Sequence, residues 1–138
     1  MSSIENYKDS HDTIEKGDSL IRVKRAYDPT TAEDCFRILV DRFWPRGISK
    51  EKAKFDLWLK EIAPTDELRK WFGHDPQKWA EFQTKYRKEL ASKENLLKQI
   101  SQLEKENRVV TLIYSARDID HNNAVALKRI LVNKEEKT

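Results

Sequence analysis

The segment Val109–Tyr114, which reads Val-Val-Thr-Leu-Ile-Tyr, constrains the fold of this chain more than any other segment. It is rich in β-branched and apolar residues and shows no alternation with charged residues, so we expect both faces of this strand to be covered. Strands of this kind are typical of the centre of a parallel sheet with helices on its faces. The segment therefore predicts an α/β domain.

Two further strands are predicted before it. Leu20–Ala26 alternates apolar with basic residues, which is the period of a strand with one covered face. Phe36–Asp41 is a short, mostly apolar run that predicts the second strand. A long, mainly helical stretch separates it from the third strand, Val109–Tyr114, and such a crossover places two strands parallel in one sheet. We predict a small three-layer α/β domain with a short, mainly parallel sheet and a long helical crossover between strands two and three.

The first helix of the crossover is predicted from the spacing of its apolar residues. Ser49 is a favoured N-cap residue, and Pro64 cannot continue a helix, so we expect the helix to lie between them. Four apolar residues in this interval follow the helical spacing i, i+3, i+4 and i+7: Phe55, Trp58, Leu59 and Ile62.

The next two helices are bounded by capping residues. Thr65 precedes a short helix, and Gly73 is placed to end it in the left-handed conformation. Asp75 and Pro76 then form the N-cap and first position of a longer helix. A break near Ser92 separates this helix from the last one of the crossover.

The chain of 138 residues is expected to form one domain with two polar ends. Residues 1–19 are acidic and lack periodicity, which predicts a disordered polar tail. Residues 20–132 are predicted to be a single α/β domain whose last helix runs from about Asp120 to Val132, and residues 133–138 a charged tail. Residues 1–19 carry two Lys and five Asp or Glu, which gives a formal charge of −3. Since the whole chain has a formal charge of +3, residues 20–138 carry a charge of +6. A mildly basic domain weakly favours anionic ligands.

Composition excludes several classes of protein. Cys35 is the single cysteine, so an internal disulfide is impossible and a cytoplasmic location is expected. One Cys and three dispersed His do not form a metal-binding pattern, and we expect no metal and no cofactor. The sequence contains no apolar run of about 18 residues and no secretory leader, so we expect no membrane partner. The oligomeric state stays open.

Arginine and other polar residues follow the second and third strands. In open α/β sheets, ligands bind outside the carboxyl ends of the strands, where these residues should meet. Because the guanidinium group can grip phosphate or carboxylate at two points, we predict a site for a small anionic ligand. The alternative interpretation is that these arginines form structural ion pairs. Trp44 could likewise pack against the edge of the sheet instead of contacting a ligand. The predicted ligand-binding residues are Arg42, Trp44, Arg46, Ser115, Arg117 and Asn122.

A catalytic role is predicted for His121 with Asp118. An imidazole near a helix N-terminus is biased toward its neutral form and could transfer a proton, with Asp41, Asp118 or Asp120 to orient it. The ligand could then be hydrolysed or transferred, although a capping or packing role for His121 is an equally simple interpretation. His74 is interpreted as a turn residue that could form a pocket wall. Whether the protein is an enzyme stays open.

A second hypothesis is a nucleic-acid-binding regulatory module. Residues 66–91 form two predicted helices joined by a turn, which is similar to a helix-turn-helix unit. Glu81 and Glu89 interrupt the polar face of the second helix, and the parallel α/β context is unusual for this motif. That face carries Gln77, Lys78, Gln83, Lys85, Arg87 and Lys88.

Several separated motifs also carry a family resemblance. They are Val-Asp-Arg-Phe-Trp-Pro-Arg-Gly at 40–47, Asp-Leu-Trp at 56–58, Leu-Arg-Lys-Trp-Phe-Gly-His-Asp-Pro at 68–76, and Tyr-Ser-Ala-Arg-Asp at 114–118 followed by His121 and Asn122. Over roughly residues 20–132 the chain resembles the YeaO-like branch of the family catalogued as a domain of unknown function, number 488. The resemblance implies a small bacterial or archaeal α/β protein without a demonstrated activity.

Two departures from the family pattern stand out. Relatives usually carry Asp-Gly before the second strand, where this chain has Asp34-Cys35, so the geometry of that turn is open. Other branches place a cysteine at the end of the third strand, where this chain has Ser115. The serine argues against a thiol mechanism at that point.

Overall fold

The computed structural model describes residues 20–136, which contain a four-stranded parallel sheet. The strands are β1 (Leu20–Arg25), β2 (Phe36–Leu39), β3 (Leu57–Trp58) and β4 (Val109–Tyr114). Their order across the sheet is β1-β4-β2-β3. All six residues of β4 are buried, as expected for a central strand. The predicted α/β fold with a parallel sheet and a long crossover is confirmed.

The register of the sheet brings the carboxyl ends of β1, β2 and β4 to one edge. β1 pairs with β4 over its whole length, beginning with Leu20 opposite Val109. β2 pairs with the other side of β4, beginning with Phe36 opposite Val110. Val40 follows the last residue of β2, and its amide still donates to the carbonyl of Ile113 in β4 at 3.0 Å. The loops that follow β2 and β4 therefore start side by side.

Residues 20–136 also contain five α-helices and three single turns of 3₁₀-helix. The helices are α1 (Lys50–Ala53), α2 (Asp66–Phe72), α3 (Trp79–Leu90), α4 (Glu94–Asn107) and α5 (Asn123–Glu136). The 3₁₀ turns are Ala32–Asp34, Lys60–Ile62 and Pro76–Lys78. Among these described residues no helix is long and apolar enough to cross a bilayer.

The sheet has a thick layer on one face and a thin layer on the other. The main core joins one face of β4, including Val110 and Leu112, to apolar side chains of α2 through α5. On the opposite face, Leu39 and Ile113 pack against aromatic residues that flank α1. Burial of these side chains contributes roughly 25 cal/mol for each Å² of apolar surface removed from water. The sheet is therefore the middle of three unequal layers.

The predicted first crossover helix is wrong after its first turn. Ser49 does cap α1, since its hydroxyl accepts from the amide of Lys52 at 3.2 Å. The helix stops at Ala53, and Lys54 takes a left-handed conformation with φ of 52°. The chain then forms β3, an edge strand that the apolar spacing did not indicate.

Asp56 explains why the chain leaves the helix. Its carboxylate accepts from the amide of Arg37 at 2.8 Å, and its own amide donates to the carbonyl of Arg37 at 2.8 Å. Both bonds attach this segment to β2, so Leu57 and Trp58 continue along the sheet. Sheet pairing and packing of the aromatic residues on the thin layer outweigh the helical spacing.

The capping predictions for the next helices are confirmed. Thr65 precedes α2 and its hydroxyl accepts from the amide of Leu68 at 3.1 Å. Gly73 ends α2 with φ of 55°, a conformation that costs glycine little. Asp75 accepts from the amide of Gln77 at the start of the 3₁₀ turn that leads into α3. The break near Ser92 separates α3 from α4.

The remaining boundaries differ from the sequence predictions by a few residues. The last helix begins at Asn123 rather than Asp120, because Asp118 accepts from the amides of Asp120 and His121 and caps a separate turn there. Asn122 caps the helix itself, since its side-chain oxygen accepts from the amide of Val125 at 3.0 Å. It continues to Glu136, so the predicted charged tail from 133 is helical as far as the structure describes it. β2 ends at Leu39 and β1 at Arg25, both slightly short of prediction. The predicted disordered tail, residues 1–19, lies outside the described residues.

A buried ionic cluster holds the opposite end of the sheet. Asp34 is 1% exposed and binds Lys24 of β1 at 3.0 Å and the guanidinium group of Arg37 of β2. The hydroxyl of Thr111 in β4 donates to the carbonyl of Asp34 at 2.8 Å. Cys35 follows with φ of 53°, a left-handed conformation that glycine adopts without strain. The turn before β2 therefore holds a left-handed residue at position 35, although this chain has cysteine there.

Candidate functional site

A cleft of about 630 Å³ opens at the carboxyl edge of the sheet. Its walls come mainly from the loop 41–46 after β2 and the loop 115–118 after β4, with contributions from the segments that flank α2. Volumes of this order are typical of small-molecule sites. Of the residues predicted from sequence, the cleft brings together Arg42, Trp44, Arg46, Ser115, Arg117, Asp118 and Asn122.

Asp41 joins the two loops at the inner part of the cleft. Its carboxylate accepts from the amide of Ser115 at 2.9 Å and from the side-chain amide of Asn123 at 3.1 Å. Burial raises the pKa of Asp41 above its usual value, and hydrogen bonds from Asn123 and Ser115 offset part of that rise. The amide of Asn123 also donates to the carbonyl of Val40 at 3.0 Å. One carboxylate thus connects the end of β2, the end of β4 and the start of α5.

Ser115 contributes mainly its backbone to this arrangement. Its hydroxyl lies close enough to Asp41 to stabilise the carboxylate charge, yet it is buried and forms no hydrogen bond as it is oriented. The guanidinium group of Arg25 donates to the carbonyls of Ser115 and Ala116 at 3.1 and 2.8 Å. No base is bonded to the hydroxyl, so Ser115 is not arranged as an activated nucleophile.

Arg42 is fixed by backbone carbonyls. Its Nε and Nη2 atoms donate to the carbonyl of Pro64 at 3.3 and 3.2 Å, and Nη2 also donates to the carbonyl of Ala63 at 3.2 Å. These bonds tie the loop after β2 to the turn that precedes α2. Arg42 therefore braces the fold, while its fixed positive charge still faces the cleft.

Arg46 and Arg117 are exposed and have free side chains. Within residues 20–136, neither guanidinium group forms a hydrogen bond or an ion pair, although the backbone carbonyl of Arg46 accepts from the hydroxyl of Tyr27 at 2.9 Å. The alternative in which Arg117 pairs with Asp118 or Asp120 is not observed. Both guanidinium groups are therefore available to a molecule in the cleft.

Trp44 forms a rigid wall between the cleft and the thin layer. Its indole nitrogen donates to the carbonyl of Ile48 at 2.6 Å. Its ring meets Phe55 and Trp58 edge to face, with centroids 5.2 and 5.6 Å apart. Trp44 therefore packs against the aromatic residues of the thin layer, and it also lines the cleft.

His121 and Asp118 form a pair, but the imidazole does not line the cleft. His121 Nδ1 lies 2.9 Å from a carboxylate oxygen of Asp118, and this bond holds the pKa of Asp118 below its usual value. The imidazole ring packs edge to face on Trp79 at 5.2 Å. Asp118 also accepts from the amides of Asp120 and His121, so it caps the turn before α5. These contacts match the capping and packing interpretation of His121.

Sequence reasoning gave too little weight to His74. This residue is exposed, lines the cleft and has φ of 59°, which is uncommon for a residue with a side chain. A positive charge on His74 lowers the pKa of Asp41. The sequence feature that indicates this position is the turn at Gly73, which brings His74 back to the cleft. Other cleft residues that the sequence did not indicate are Tyr27, Phe43, Arg69, Phe82 and Asn123.

The helix-turn-helix-like segment uses much of its polar face for contacts within the protein. Lys78 donates to the carbonyl of Trp71 at 2.8 Å, and the ammonium group of Lys85 lies 5.1 Å from the centroid of the Trp71 ring. Gln83 accepts from Arg129 of α5 at 2.7 Å. These contacts engage three of the six polar residues of that face, namely Lys78, Gln83 and Lys85.

No group of three or more His, Cys, Asp or Glu within residues 20–136 has the arrangement of a metal site.

Comparison with known proteins gives consistent matches. A family model described as the inactive DUF488-N3 subclade matches residues 20–138. The chain is 44% identical to the uncharacterized protein YeaO of Escherichia coli K12 over 107 residues, which is 78% of this chain and 92% of that protein. It is 35% identical to an uncharacterized protein of Mycobacterium tuberculosis H37Rv over 113 residues, 80% of this chain and 92% of that protein. No solved structure matches the chain. The chain therefore belongs to the DUF488 family, in its YeaO-like part.

Proposed function

We propose that the protein binds a small molecule bearing phosphate or carboxylate in the cleft at the carboxyl edge of the sheet, and that it does not convert this ligand. The observation that carries the proposal is the pair of unpartnered guanidinium groups, Arg46 and Arg117, on the two loops that form the cleft. Each could donate two parallel hydrogen bonds to one anionic group. Within residues 20–136, no carboxylate or carbonyl group binds either guanidinium group and would compete with the anion.

The fixed charges of the cleft favour an anion. Its lining contains four arginines against two aspartates, and one of these arginines, Arg69, is paired with Asp66 at 2.6 Å. Asp118 already accepts three hydrogen bonds, from the amides of Asp120 and His121 and from the His121 ring, which disperses its charge. Arg42 needs no rearrangement to bind, because backbone carbonyls hold it in place. A preorganised positive field of this kind attracts and orients anionic ligands.

Within residues 20–136, the candidate catalytic side chains are not arranged for proton transfer at the cleft, which supports binding over turnover. The imidazole of His121 packs on Trp79 outside the cleft lining, and the hydroxyl of Ser115 lies near the Asp41 carboxylate without forming a hydrogen bond to it. Proton transfer needs a group within about 3 Å of the reacting atom. The description of the matching family model as an inactive subclade agrees with this proposal.

Isothermal titration calorimetry with phenyl phosphate at low ionic strength tests the proposal. We expect saturable one-site binding to the wild-type protein. Replacing both Arg46→Ala and Arg117→Ala should weaken binding at least tenfold, because a hydrogen bond to a charged group contributes roughly 1.5–3 kcal/mol. The thermal midpoint should stay nearly unchanged, since neither side chain has a partner within residues 20–136.

Arg87→Ala is the matched control, because Arg87 is an exposed arginine of α3 that does not line the cleft. It should bind phenyl phosphate as the wild-type protein does. Equal loss of binding in the control and in the double variant would show only a general effect of charge. Release of phenol from phenyl phosphate would contradict the proposed lack of turnover.

A further inference from the structure

The cleft has a second polar end that the anion hypothesis does not use. Asp41 is half-buried in the cleft lining, whereas Arg46 and Arg117 are exposed. One carboxylate oxygen of Asp41 accepts from Asn123 and the other from the amide of Ser115, and the Ser115 hydroxyl lies close by. A carboxylate offers about four acceptor sites, so at least one stays open. The half-buried carboxylate of Asp41 therefore accepts hydrogen bonds, while the exposed Arg46 and Arg117 side chains donate them.

Aromatic side chains line the same cleft. Phe43 and Tyr27 are exposed aromatic residues of the lining, with 58% and 44% of their surface accessible. Trp44 is held rigid by its bond to Ile48 and by its ring contacts. Flat aromatic side chains favour stacked or edge-to-face contact with another ring. An anion without an apolar part would leave this surface uncovered.

Building on the proposed function, we infer that the ligand of this cleft is an aromatic molecule with an anionic group at one end and a hydrogen-bond donor at the other, and that Asp41 recognises the donor. Arg46 and Arg117 bind the anion, and the ring lies against Trp44 and Phe43. The carboxylate of Asp41 then accepts from an amino, amide or hydroxyl group of the ligand.

The chemistry of Asp41 makes it a selective group. An ionised carboxylate only accepts hydrogen bonds. A ligand that presents another acceptor to Asp41 therefore forms no hydrogen bond there and is repelled by the carboxylate oxygens. A ligand that presents a bare C–H removes water from the carboxylate and returns no hydrogen bond, which also weakens binding. Sites built around one buried polar group reject analogues that lack its partner more strongly than apolar pockets reject size changes.

Three aryl phosphates of the same framework test the inference by calorimetry on the wild-type protein. 4-Aminophenyl phosphate carries a donor opposite the phosphate, phenyl phosphate carries none, and 4-nitrophenyl phosphate carries only acceptors. We expect the amino compound to bind about tenfold more tightly than phenyl phosphate and the nitro compound to bind most weakly. The Asp41→Asn variant should lose most of this preference while it still binds all three compounds, because Arg46 and Arg117 are intact.

The outcomes separate this inference from the proposed function. If all three compounds bind with equal affinity and binding depends on Arg46 and Arg117, the proposed function stands and the inference is overturned. If none of them binds, the proposed function fails and the inference fails with it. Should Asp41→Asn not fold, the ranking of the three compounds on the wild-type protein decides the matter without the variant.

Discussion

Arg42 provides the sharpest test of how this site is built, because its three hydrogen bonds are structural. We consider Arg42→Met, which keeps most of the apolar stem and removes every donor. Nη2 and Nε bind the carbonyls of Ala63 and Pro64 at 3.2 to 3.3 Å. The matched variant is Arg46→Met, in which the lost guanidinium group has no partner within residues 20–136.

The expected cost follows from these contacts. A hydrogen bond from a charged donor contributes roughly 1.5–3 kcal/mol, but those of Arg42 are long, so the lower end applies. The carbonyl of Ala63 also keeps a second donor, the ammonium group of Lys93 at 3.5 Å, whereas Arg42 is the donor to the carbonyl of Pro64. We therefore expect Arg42→Met to reduce the free energy of unfolding by about 2 kcal/mol. With an unfolding entropy of roughly 0.25 kcal/mol per kelvin for a domain of this size, the thermal midpoint should fall by about 8 °C.

Differential scanning calorimetry and urea unfolding measure this difference at pH 7. Arg46→Met should remain within about 0.5 kcal/mol of the wild-type protein, as is usual for exposed residues without contacts. Equal stability of the two variants would refute the reasoning, since it would mean that the bonds from Arg42 to Ala63 and Pro64 contribute nothing. A large loss in Arg46→Met would refute it equally.

Two further predictions concern stability. Burial alone would raise the pKa of Asp34, but hydrogen bonds from Lys24, the Thr31 amide and Arg37 lower it overall. Its stabilisation should therefore be complete above the ordinary value of 3.8 and be lost as pH falls from there through the lowered value. Asp34→Asn should cost about 3–5 kcal/mol at pH 7 and flatten the loss of stability that urea unfolding shows below about pH 4. Thr65→Ala removes the cap of α2 and a 2.6 Å bond to Glu89, so calorimetry should show a loss of about 1–2 kcal/mol.

Local signals predicted the parts of the fold that depend on neighbouring residues. The apolar run Val109–Tyr114 gave the central strand with its boundaries, because a strand buried on both faces needs no periodicity. The caps at Thr65, Gly73 and Asp75 were predicted because capping acts within four residues. The meeting of the two loops at one sheet edge followed from the topology of parallel strands.

The parts that sequence patterns missed depend on distant partners. Phe55 and Trp58 have helical spacing, yet Asp56 bonds to Arg37 on β2 and turns their segment into an edge strand. The role of Arg42 could not be inferred, because its acceptors at Ala63 and Pro64 are backbone atoms that any residue offers. The direction of the His121 ring depends on Trp79, which lies on another helix. In each case tertiary contacts outweigh the local pattern.

The position of β4 between β1 and β2 has a consequence for synthesis on the ribosome. In the described sheet, β1 bonds to β4 and not to β2, so its partner lies nearly ninety residues later in the chain. The chain grows from its N-terminus at roughly 5–20 residues per second, so β1 spends several seconds without that partner. Pairing over such long separations is intrinsically slow and leaves strand edges open meanwhile. The alternating basic residues Arg22 and Lys24 of β1 would discourage two nascent chains from pairing through this strand.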